Sequence, residues 1–373
     1  MRFIRSGRLH PFAAVAAVSV LLAAAVPAVA EEATKTLRLT ISPGEGRFQV
    51  ENLAGTMKVV PGTGKEVVAI ATIHAESREL ADAVRFERVT DTKSGLPTLR
   101  VRYPLDAHGA IRYPGNDEEE GWLVKMFGFV GGSRTEYDGE RVRVGGTGGV
   151  LLYADVEVQL PADPAIQAVF KNHVGTLRGR GVRGDLRFDT GSGDIRLEGV
   201  GGSITGDTGS GTVEAEDLEG SFTCDTGSGD CRLTGFKGET IHCDVGSGDV
   251  TLKRLAARRV MVDTGSGDVN LVEADVEDFQ ADTGSGDVYL DARGARLSRV
   301  SADTGSGNVH LKLGANPSFE AYADQGSGDI IMRYEDARPI LQHKELVGYR
   351  RGDGRIRIAV DTGSGDLTIE PGT

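Results

Sequence analysis

The chain has 373 residues and a formal net charge of −13 at pH 7, and 53 of its residues are glycine. So acidic a balance argues against nucleic acid and anionic membrane surfaces as partners, and it leaves cations and basic surfaces open. Glycine is present at about twice its usual share, so we expect an architecture with many positions that exclude a side chain.

The first thirty residues have the pattern of a secretory signal peptide. Arg2, Arg5 and Arg8 form a basic start, residues 12–26 are apolar, and Ala28–Ala30 is a small-residue cleavage site. An uncleaved anchor is the alternative, but the apolar run is short for a membrane span. We therefore expect cleavage before Glu31. The mature chain would be exported to the periplasm, the cell surface or the medium, with no transmembrane segment.

Residues 31–168 predict a β-rich region with little regularity. Residues 98–104 and 150–161 alternate like strands, and residues 76–84 predict one short helix. The stretch near 104–145 is predicted to be an inserted loop. Its apolar segment 122–130 is predicted to cover the open end of the repeats that follow, because an uncovered end would expose the core.

One hexapeptide, DTGSGD or a close variant, occurs nine times in the C-terminal part of the chain. Successive copies start 18 to 21 residues apart, except for a last step of 37. Every copy begins with Asp and has Gly, Ser and Gly at positions three to five. Position six is Asp in all copies except those with Thr212 and Asn308. The copies begin at Asp189, Asp207, Asp225, Asp244, Asp263, Asp282, Asp303, Asp324 and Asp361.

Apolar and polar residues alternate on both sides of each copy, as at Leu186 and Phe188 before the first and Ile195 and Leu197 after it. This alternation predicts short strands around a glycine-rich turn. An antiparallel meander would show the same local pattern. Because the apolar phase recurs in every copy, we instead predict an all-β, single-chain parallel β-solenoid (β-helix) over residues 169–373, with coils of about 19 residues.

The solenoid interpretation places the nine turns in register on one edge. Each turn then needs glycine where neighbouring coils come close together. The last step of 37 residues predicts a loop within residues 334–355.

The peptide FDTGS at Phe188–Ser192 matches the active-site signature of pepsin-like aspartic proteases. Such a protease needs two carboxylates that face each other and share a proton. Nine copies at near-constant spacing cannot all meet that requirement. The serines of these turns are equally repetitive, so a serine hydrolase is unsupported as well. We predict no catalytic residue in the repeats.

Stacking in register would align the aspartates of positions one and six into two ladders, with rungs about 4.8 Å apart. The structural interpretation is that the aspartate of position one in each copy caps N–H groups of its turn. The functional alternative is a Ca²⁺ ion or another hard cation between rungs. No other cofactor is predicted. The candidate metal ligands are Asp189, Asp207, Asp225, Asp230, Asp244, Asp249, Asp263, Asp268, Asp282 and Asp287.

The three cysteines, Cys224, Cys231 and Cys243, fall at positions predicted to point inward. Core packing is the favoured interpretation, and a disulfide between two of them is an alternative in an oxidising compartment. Their spacing fits no zinc site. The lone RGD tripeptide at 351–353 is typical of a solvated loop.

Residues 156–161 (VEVQLP) and 174–204 (VGTLRGRGVRGDLRFDTGSGDIRLEGVGGSI) resemble the bacterial putative-adhesin family of β-strand-repeat proteins, a domain of unknown function. Residues 48–75 resemble the first repeat of that family. The resemblance implies a β-solenoid of exported or envelope proteins. It implies no established reaction and no assigned catalytic residue.

The leading hypothesis is a non-enzymatic exported β-solenoid that acts as an envelope scaffold or adhesion-type binding module, with envelope components or glycans as partners. One alternative is a carbohydrate-active β-helix enzyme, a polysaccharide lyase or hydrolase. That enzyme needs acids, bases and aromatic residues on one lateral face, and only Tyr289, His310 and Tyr322 hint at such a patch. A second alternative is a calcium-responsive surface protein.

Overall fold

A computed structural model describes residues 32–41, 47–115, 132–145, 148–162, 165–314 and 316–372. These residues belong to one compact unit. The predicted signal peptide and the apolar segment 122–130 lie outside the described residues.

The described residues are mostly β-strands, with one short helix. The strands before the repeats are β1 (Ala33–Ile41), β2 (Phe48–Ala54), β3 (Met57–Pro61), β4 (Val67–Ala75), β5 (Arg85–Thr90), β6 (Pro97–Arg102), β7 (Ala110–Arg112), β8 (Ser133–Tyr137), β9 (Glu140–Val144), β10 (Val150–Leu160), β11 (Gln167–Val174) and β12 (Leu177–Arg180). The helix is α1 (Arg78–Ala83).

The repeats contain the other sixteen strands of the described chain. These are β13 (Arg183–Ser192), β14 (Ile195–Glu198), β15 (Gly201–Ser210), β16 (Val213–Ser228), β17 (Cys231–Val245), β18 (Val250–Thr264), β19 (Val269–Thr283), β20 (Val288–Ala292), β21 (Arg299–Thr304), β22 (Val309–Leu313), β23 (Phe319–Gln325), β24 (Ile330–Met332), β25 (Arg338–Gln342), β26 (Glu345–Arg351), β27 (Ile356–Thr362) and β28 (Leu367–Pro371).

Neighbouring repeats pair in parallel along two rows of strands, one before each turn and one after it. The pre-turn row runs through β2, β11, β13 and β15 and continues in β16 to β19 and β21. The post-turn row runs through β3, β12 and β14, then through β16 to β20 and β22. Strands β16 to β19 belong to both rows because each continues through the corner between them. The fold is therefore an open, mostly parallel all-β stack, as predicted.

The inward residues of successive strands fill the core. Phe170 and Phe188 are register partners with ring centroids 5.4 Å apart, and both are fully buried. Phe222, Phe279 and Phe319 are also fully buried. Burying one such side chain contributes about 2–3 kcal/mol. Because a single repeat has no opposite layer, this burial is achieved only when repeats stack.

The nine turns lie in register on one edge, as predicted, but the order of the last three differs from the sequence order. Asp303 pairs with Asp361, and Asp361 pairs with Asp324. Strand β27 therefore lies between β21 and β23. The last repeat in the sequence thus occupies a place in the stack between the two repeats that come before it in the sequence. The chain makes this insertion because the 37-residue step is long enough for it to return across the end of the stack.

The loop predicted within residues 334–355 is instead a β-hairpin, so this prediction is wrong. Strands β25 and β26 pair antiparallel, and β26 also pairs antiparallel with β23. The turn residues His343 and Lys344 have φ angles of 54° and 74°. Two consecutive positive φ angles are typical of the tight turns that join hairpin strands. This hairpin forms the C-terminal end of the pre-turn row.

The N-terminal region also contains strands where a loop was predicted. Within 104–145, β8 and β9 form an antiparallel hairpin, and β7 pairs with β9 and β10. Only Tyr137, Val142 and Val144 of this hairpin are buried, so its apolar signal in the sequence is weak. The predicted helix is confirmed as α1, which begins after Ser77. The Ser77 hydroxyl accepts a hydrogen bond from the Leu80 N–H, 3.3 Å away.

Among the described residues there is no helix with the length and apolarity that a membrane crossing requires.

Candidate functional site

The repeated turns hold one another through contacts between rungs. The buried hydroxyl of Thr208 donates a hydrogen bond to the Gly193 carbonyl of the preceding rung, 2.9 Å away, and Thr304 makes the same bond to Gly286 at 3.0 Å. Position five has no space for a side chain. A Cβ on Gly229, where φ is 142°, would lie 2.1 Å from the Gly211 carbonyl oxygen. Threonine and glycine therefore recur here for structural reasons.

The aspartates of position six also connect rungs. Oδ1 of Asp230 accepts the backbone N–H of Asp249, and the bond repeats from Asp249 to Asp268 and from Asp268 to Asp287, each at 2.9 Å. The capping was predicted for position one, and the structure places it at position six instead, where it reaches the next rung rather than closing the same turn. These carboxylates accept hydrogen bonds from backbone N–H groups of the turns that would otherwise be satisfied by water.

The aspartates of position one form the other ladder, and from Asp225 onward those along the middle of the stack are exposed. Burial and the charge of Asp189 raise the pKa of Asp207, with a further contribution from Asp225. Like charges thus repel along this row. Within the described ranges, no group of three His, Cys, Asp or Glu residues is arranged to hold a metal ion. Cation binding by the ten ladder aspartates stays a prediction.

The first-position row changes its chemistry at the N-terminal end of the stack. The register places Lys171 beside Asp189, Glu51 beside Lys171, and Arg100 beside Glu51. The row of like charges therefore ends in alternating charges. Lys171 Nζ lies 3.9 Å from an Asp189 carboxylate oxygen, and Arg187 Nε lies 3.7 Å from the same oxygen.

Glu51, Arg100 and His173 form a buried ionic cluster at this end. Glu51 Oε2 accepts a hydrogen bond from Arg100 Nε at 2.7 Å, and Oε1 lies 2.9 Å from His173 Nε2. All three residues are less than 10% exposed. Burial raises the pKa of Glu51, but the hydrogen bonds and charges of His173 and Arg100 lower it further, so its net pKa is below the ordinary value. The Glu51 carboxylate is thus held ionised.

The surrounding residues fix this cluster in place. Arg100 Nη1 donates to Asp138 at 2.6 Å, and Nη2 lies 3.3 Å from Asp91. His173 Nδ1 lies 2.9 Å from the hydroxyl of Thr135. The buried ring of Tyr137 packs edge-on against His173, with centroids 5.1 Å apart. The guanidinium of Arg100 is therefore shared by three carboxylates, and its loss would leave the buried Glu51 without this cation, whereas Asp138 would keep its contact with Arg102.

A cleft of about 540 Å³ lies above this cluster on the outward face of the sheet. Outward residues of β2, β11 and β13 form its floor, and the β5–β6 turn and the β8–β9 hairpin form its walls. We call it the N-terminal cleft. Its lining residues are Arg47, Gln49, Glu51, Thr90, Asp91, Thr92, Lys93, Ser94, Leu96, Arg100, Glu136, Asp138, Gly139, Val169, Lys171, His173, Arg187 and Asp189.

The sequence prediction missed this cleft except for Asp189, although a signal for it exists. Residues 51–58 (ENLAGTMK) and 171–178 (KNHVGTLR) are degenerate copies of the repeated turn, with Asn52 and Asn172 where seven of the nine later copies have Thr. The two asparagines stack in the core, and Asn52 Nδ2 donates to Asn172 Oδ1 at 3.0 Å. Because 120 residues separate these copies, a search for a constant period does not connect them.

The three cysteines are buried in the core, as predicted, and are present as free thiols. Cys224 and Cys243 are register partners in consecutive repeats. The sulfur atoms of Cys231 and Cys243 lie 3.5 Å apart. The structure thus brings the predicted residues together, and a disulfide in an oxidising compartment stays a prediction.

The polar-aromatic patch is only partly assembled. Tyr289 and His310 are register partners with ring centroids 5.4 Å apart, and His310 Nε2 lies 2.9 Å from a Glu370 carboxylate oxygen. Tyr322 lies instead on the pre-turn row, where its register partner is Ala359. The structure therefore separates Tyr322 from the other two residues.

The RGD tripeptide is engaged in contacts within the chain. The side chain of Arg351 is 15% exposed, its guanidinium lies 4.9 Å from the centre of the Tyr334 ring, and Nε donates to Asp336 at 2.7 Å. Asp353 accepts a hydrogen bond from the hydroxyl of Ser318. The tripeptide thus anchors the hairpin, whereas the sequence pattern predicted a solvated loop.

Comparisons with known proteins identify the family. One solved structure with 13% identity and a TM-score of 0.40 is of a putative lipid binding protein from Parabacteroides distasonis, and the match covers 90% of this chain and 97% of that one. Another, with 10% identity and a TM-score of 0.17, is of a putative cell adhesion protein from Clostridium sporogenes, with 90% and 99% covered. No curated protein matches the chain. The Toastrack family, DUF4097, matches residues 153–370. Because this match spans more than half of the chain, and the repeats stack as the resemblance implies, the protein belongs to the Toastrack DUF4097 family.

Proposed function

We propose that the protein is an exported, non-enzymatic β-solenoid with coils of about 19 residues, and that it acts as an envelope scaffold or adhesion-type binding module. Its location would be the periplasm, the cell surface or the medium. We further propose that it binds its partner, a glycan or another polar envelope component, in the N-terminal cleft.

One observation carries this proposal. The N-terminal cleft is a concave surface where the uniform turn edge gives way to differentiated charged and polar side chains. Lys171 and Arg187 are 33% and 42% exposed, and both lie beyond hydrogen-bond distance of Asp189; one of the five N–H groups of Arg187, on Nη2, donates to Asp207. They therefore retain donors for a ligand with hydroxyl or carboxylate oxygens. The floor of the cleft is a parallel sheet that is already ordered, so ligand binding would lose little conformational entropy of the protein.

The buried cluster favours a binding site over a hydrolytic one. A glycosidase of the usual type needs one protonated carboxyl group, with a raised pKa, beside a second carboxylate. Glu51 has a lowered pKa, and both its oxygens are occupied by Arg100 and His173. The cluster is thus suited to holding the floor rigid and poorly suited to donating a proton.

The regular stack supports the scaffold role. Its repeated Thr, Gly and Asp residues form bonds from rung to rung, as at Thr208 and Asp230. Residues used in this way determine the shape of the stack rather than a reaction. A stack of this kind would hold the N-terminal cleft at a fixed distance from the C-terminal end of the stack.

The proposal is tested by screening residues 31–373 against glycans and purified envelope components. A double Lys171→Ala, Arg187→Ala variant removes two half-exposed donors of the cleft and leaves the buried cluster intact. We expect it to weaken binding by about tenfold or more. The matched control is Arg232→Ala, Lys253→Ala, which removes two exposed cations from the middle of the stack. Equal loss in both variants, or no loss in the cleft variant, would contradict the proposal.

The enzyme alternative is tested with the same protein. Incubation with representative anionic and neutral polysaccharides, followed by assays for reducing ends and for unsaturated products, should show no turnover. Reproducible product formation that is lost in the Lys171→Ala, Arg187→Ala variant would overturn the non-enzymatic assignment.

A further inference from the structure

The C-terminal end of the stack carries an unusual surface. Among the described residues, the exposed large hydrophobic side chains are Tyr322, Ile331, Leu341 and Leu346, and all of them lie on the last strands of the two rows or on the hairpin beyond them. We call β25, β26 and their connecting turn the tip hairpin. Leu341 is 62% exposed, which is more than any other member of this group.

The two leucines of the tip hairpin form one apolar pair. Leu341 and Leu346 are register partners across the antiparallel strands, so their side chains lie on the same face. One further pair, Gln342 and Glu345, separates them from the turn at His343 and Lys344. The pair is therefore an exposed apolar point close to the turn.

The tip hairpin is locally basic although the chain is acidic. Residues 338–351 contain three exposed basic side chains, Arg338, Lys344 and Arg350, and one carboxylate, Glu345, whereas Arg351 is paired with Asp336. Strand β25 lies two strand spacings beyond β23, or about 9.6 Å. That distance is close to the Debye length of about 8–10 Å at moderate ionic strength. A surface that meets the tip therefore experiences mainly the local positive charge.

We infer that the tip hairpin docks on an anionic lipid surface, with Leu341 and Leu346 entering the headgroup region and Lys344 and Arg338 contacting lipid phosphates. Exposed apolar side chains beside basic ones have the chemistry that binds such a surface. The acidic balance of the chain argues against anionic membranes, but the two aspartate ladders that contribute to it lie on the turn edge and not on the tip hairpin.

A second copy of the chain fits this surface less well. A symmetric contact would place the same exposed basic residues of each hairpin, Arg338, Lys344 and Arg350, against one another. Edge-to-edge strand pairing through β25 is also impaired, because Pro339 lies within this five-residue strand and has no N–H to donate. Charge and edge chemistry thus both favour lipid over a second copy.

The test is co-sedimentation of residues 31–373 with vesicles of phosphatidylcholine alone and of phosphatidylcholine with phosphatidylglycerol. We expect binding to the anionic vesicles only. A double Leu341→Ser, Leu346→Ser variant should lower partitioning by about tenfold or more, and Lys344→Glu should lower it by about fivefold in a salt-dependent manner. Both changes are on exposed positions, so the melting temperature should be unchanged.

Matched controls separate docking from general effects. Tyr322→Ser removes an exposed apolar side chain from outside the hairpin, and Lys253→Glu reverses an exposed charge in the middle of the stack. Neither should alter partitioning. The inference is overturned if the wild-type protein stays in the supernatant with anionic vesicles, or if the leucine variant sediments as the wild type does. A dimer in light scattering that the leucine variant abolishes would assign the surface to a second copy instead.

Discussion

The middle of the stack and its N-terminal end are held together by different means. In the middle, backbone contacts and bonds from short side chains recur at most rungs, as in the Thr208 and Asp230 bonds to neighbouring turns. At the N-terminal end, the backbone pairing continues and long charged side chains are added to it, with Arg100 bridging three carboxylates. This comparison shows that regular repeats lengthen the stack, whereas a site with its own chemistry forms where the repeated turn sequence changes.

The largest expected effect is at the N-terminal end. Arg100→Ala leaves Glu51, Asp91 and Asp138 without their shared cation, and we expect it to lower the free energy of unfolding by about 3–5 kcal/mol. Arg258→Ala, in the middle of the stack, breaks only an exposed pair with Glu239 and should cost less than about 1 kcal/mol. Urea denaturation measures both variants. Similar costs for the two would show that the two regions are not held differently.

The next effect belongs to the middle of the stack. Gly229→Ala would place a Cβ 2.1 Å from the Gly211 carbonyl oxygen at a φ of 142°. We expect the variant to lose about 2 kcal/mol or more. Gly109→Ala, in the N-terminal region, meets no atom within 4 Å and serves as the control. If both variants unfold at the same urea concentration as the wild type, the close approach of rungs is not the reason that glycine occupies position five of the turn.

A smaller, pH-dependent effect should come from the N-terminal end. The hydrogen bond to Asp155 raises the pKa of His74, with help from the charges of Asp155 and Glu32 and against an opposing effect of burial. Because the folded pKa is above the unfolded value of about 6.5, the contribution is complete below that pH. It is lost as the pH rises through the folded pKa.

The His74 contribution should be less than about 1 kcal/mol. The melting temperature of His74→Gln should thus fall relative to the wild type at pH 5.5 and approach it at alkaline pH. His242→Gln, at an exposed position in the middle of the stack, is the control. A wild-type-minus-variant difference that stays constant with pH would contradict the assignment.

The smallest effect concerns the aspartate ladders. Repulsion along the first-position row should weaken folding at low ionic strength, and screening by NaCl should raise the melting temperature by a few degrees. We expect NaCl to reproduce the whole effect of millimolar Ca²⁺ at matched ionic strength, with Mg²⁺ and a chelator as further comparisons. A rise unique to Ca²⁺ that is lost in Asp263→Asn, Asp282→Asn would instead support coordination between rungs.

The direction of the change in melting temperature on replacing one ladder aspartate tests whether the ladder charges repel. The pKa of Asp207 is raised by burial and by Asp189, so its charged form is disfavoured in the fold. Asp207→Asn should therefore raise the melting temperature slightly at neutral pH and low salt, and the gain should shrink as salt is added. A lower melting temperature would show that contacts such as the one with Arg187 outweigh the repulsion.

The sequence by itself determined the repeated part of this protein. A fixed apolar phase around each turn requires parallel stacking, and the inward positions of Cys224 and Cys243 follow from that phase. The nine aspartates of position one lie in one row for the same reason. These predictions succeed because each concerns neighbouring rungs with the same local pattern.

Tertiary structure alone decided the two ends of the stack. The insertion of the last repeat beside Asp303 depends on which free edge the returning chain reaches, and no local pattern encodes that choice. The ionic cluster of Glu51, Arg100 and His173 joins residues 49 to 122 positions apart. Such a cluster is stable only because three strands and a hairpin bury it together. Its members look like ordinary surface charges in sequence, since the environment that pairs them exists only after the chain has folded.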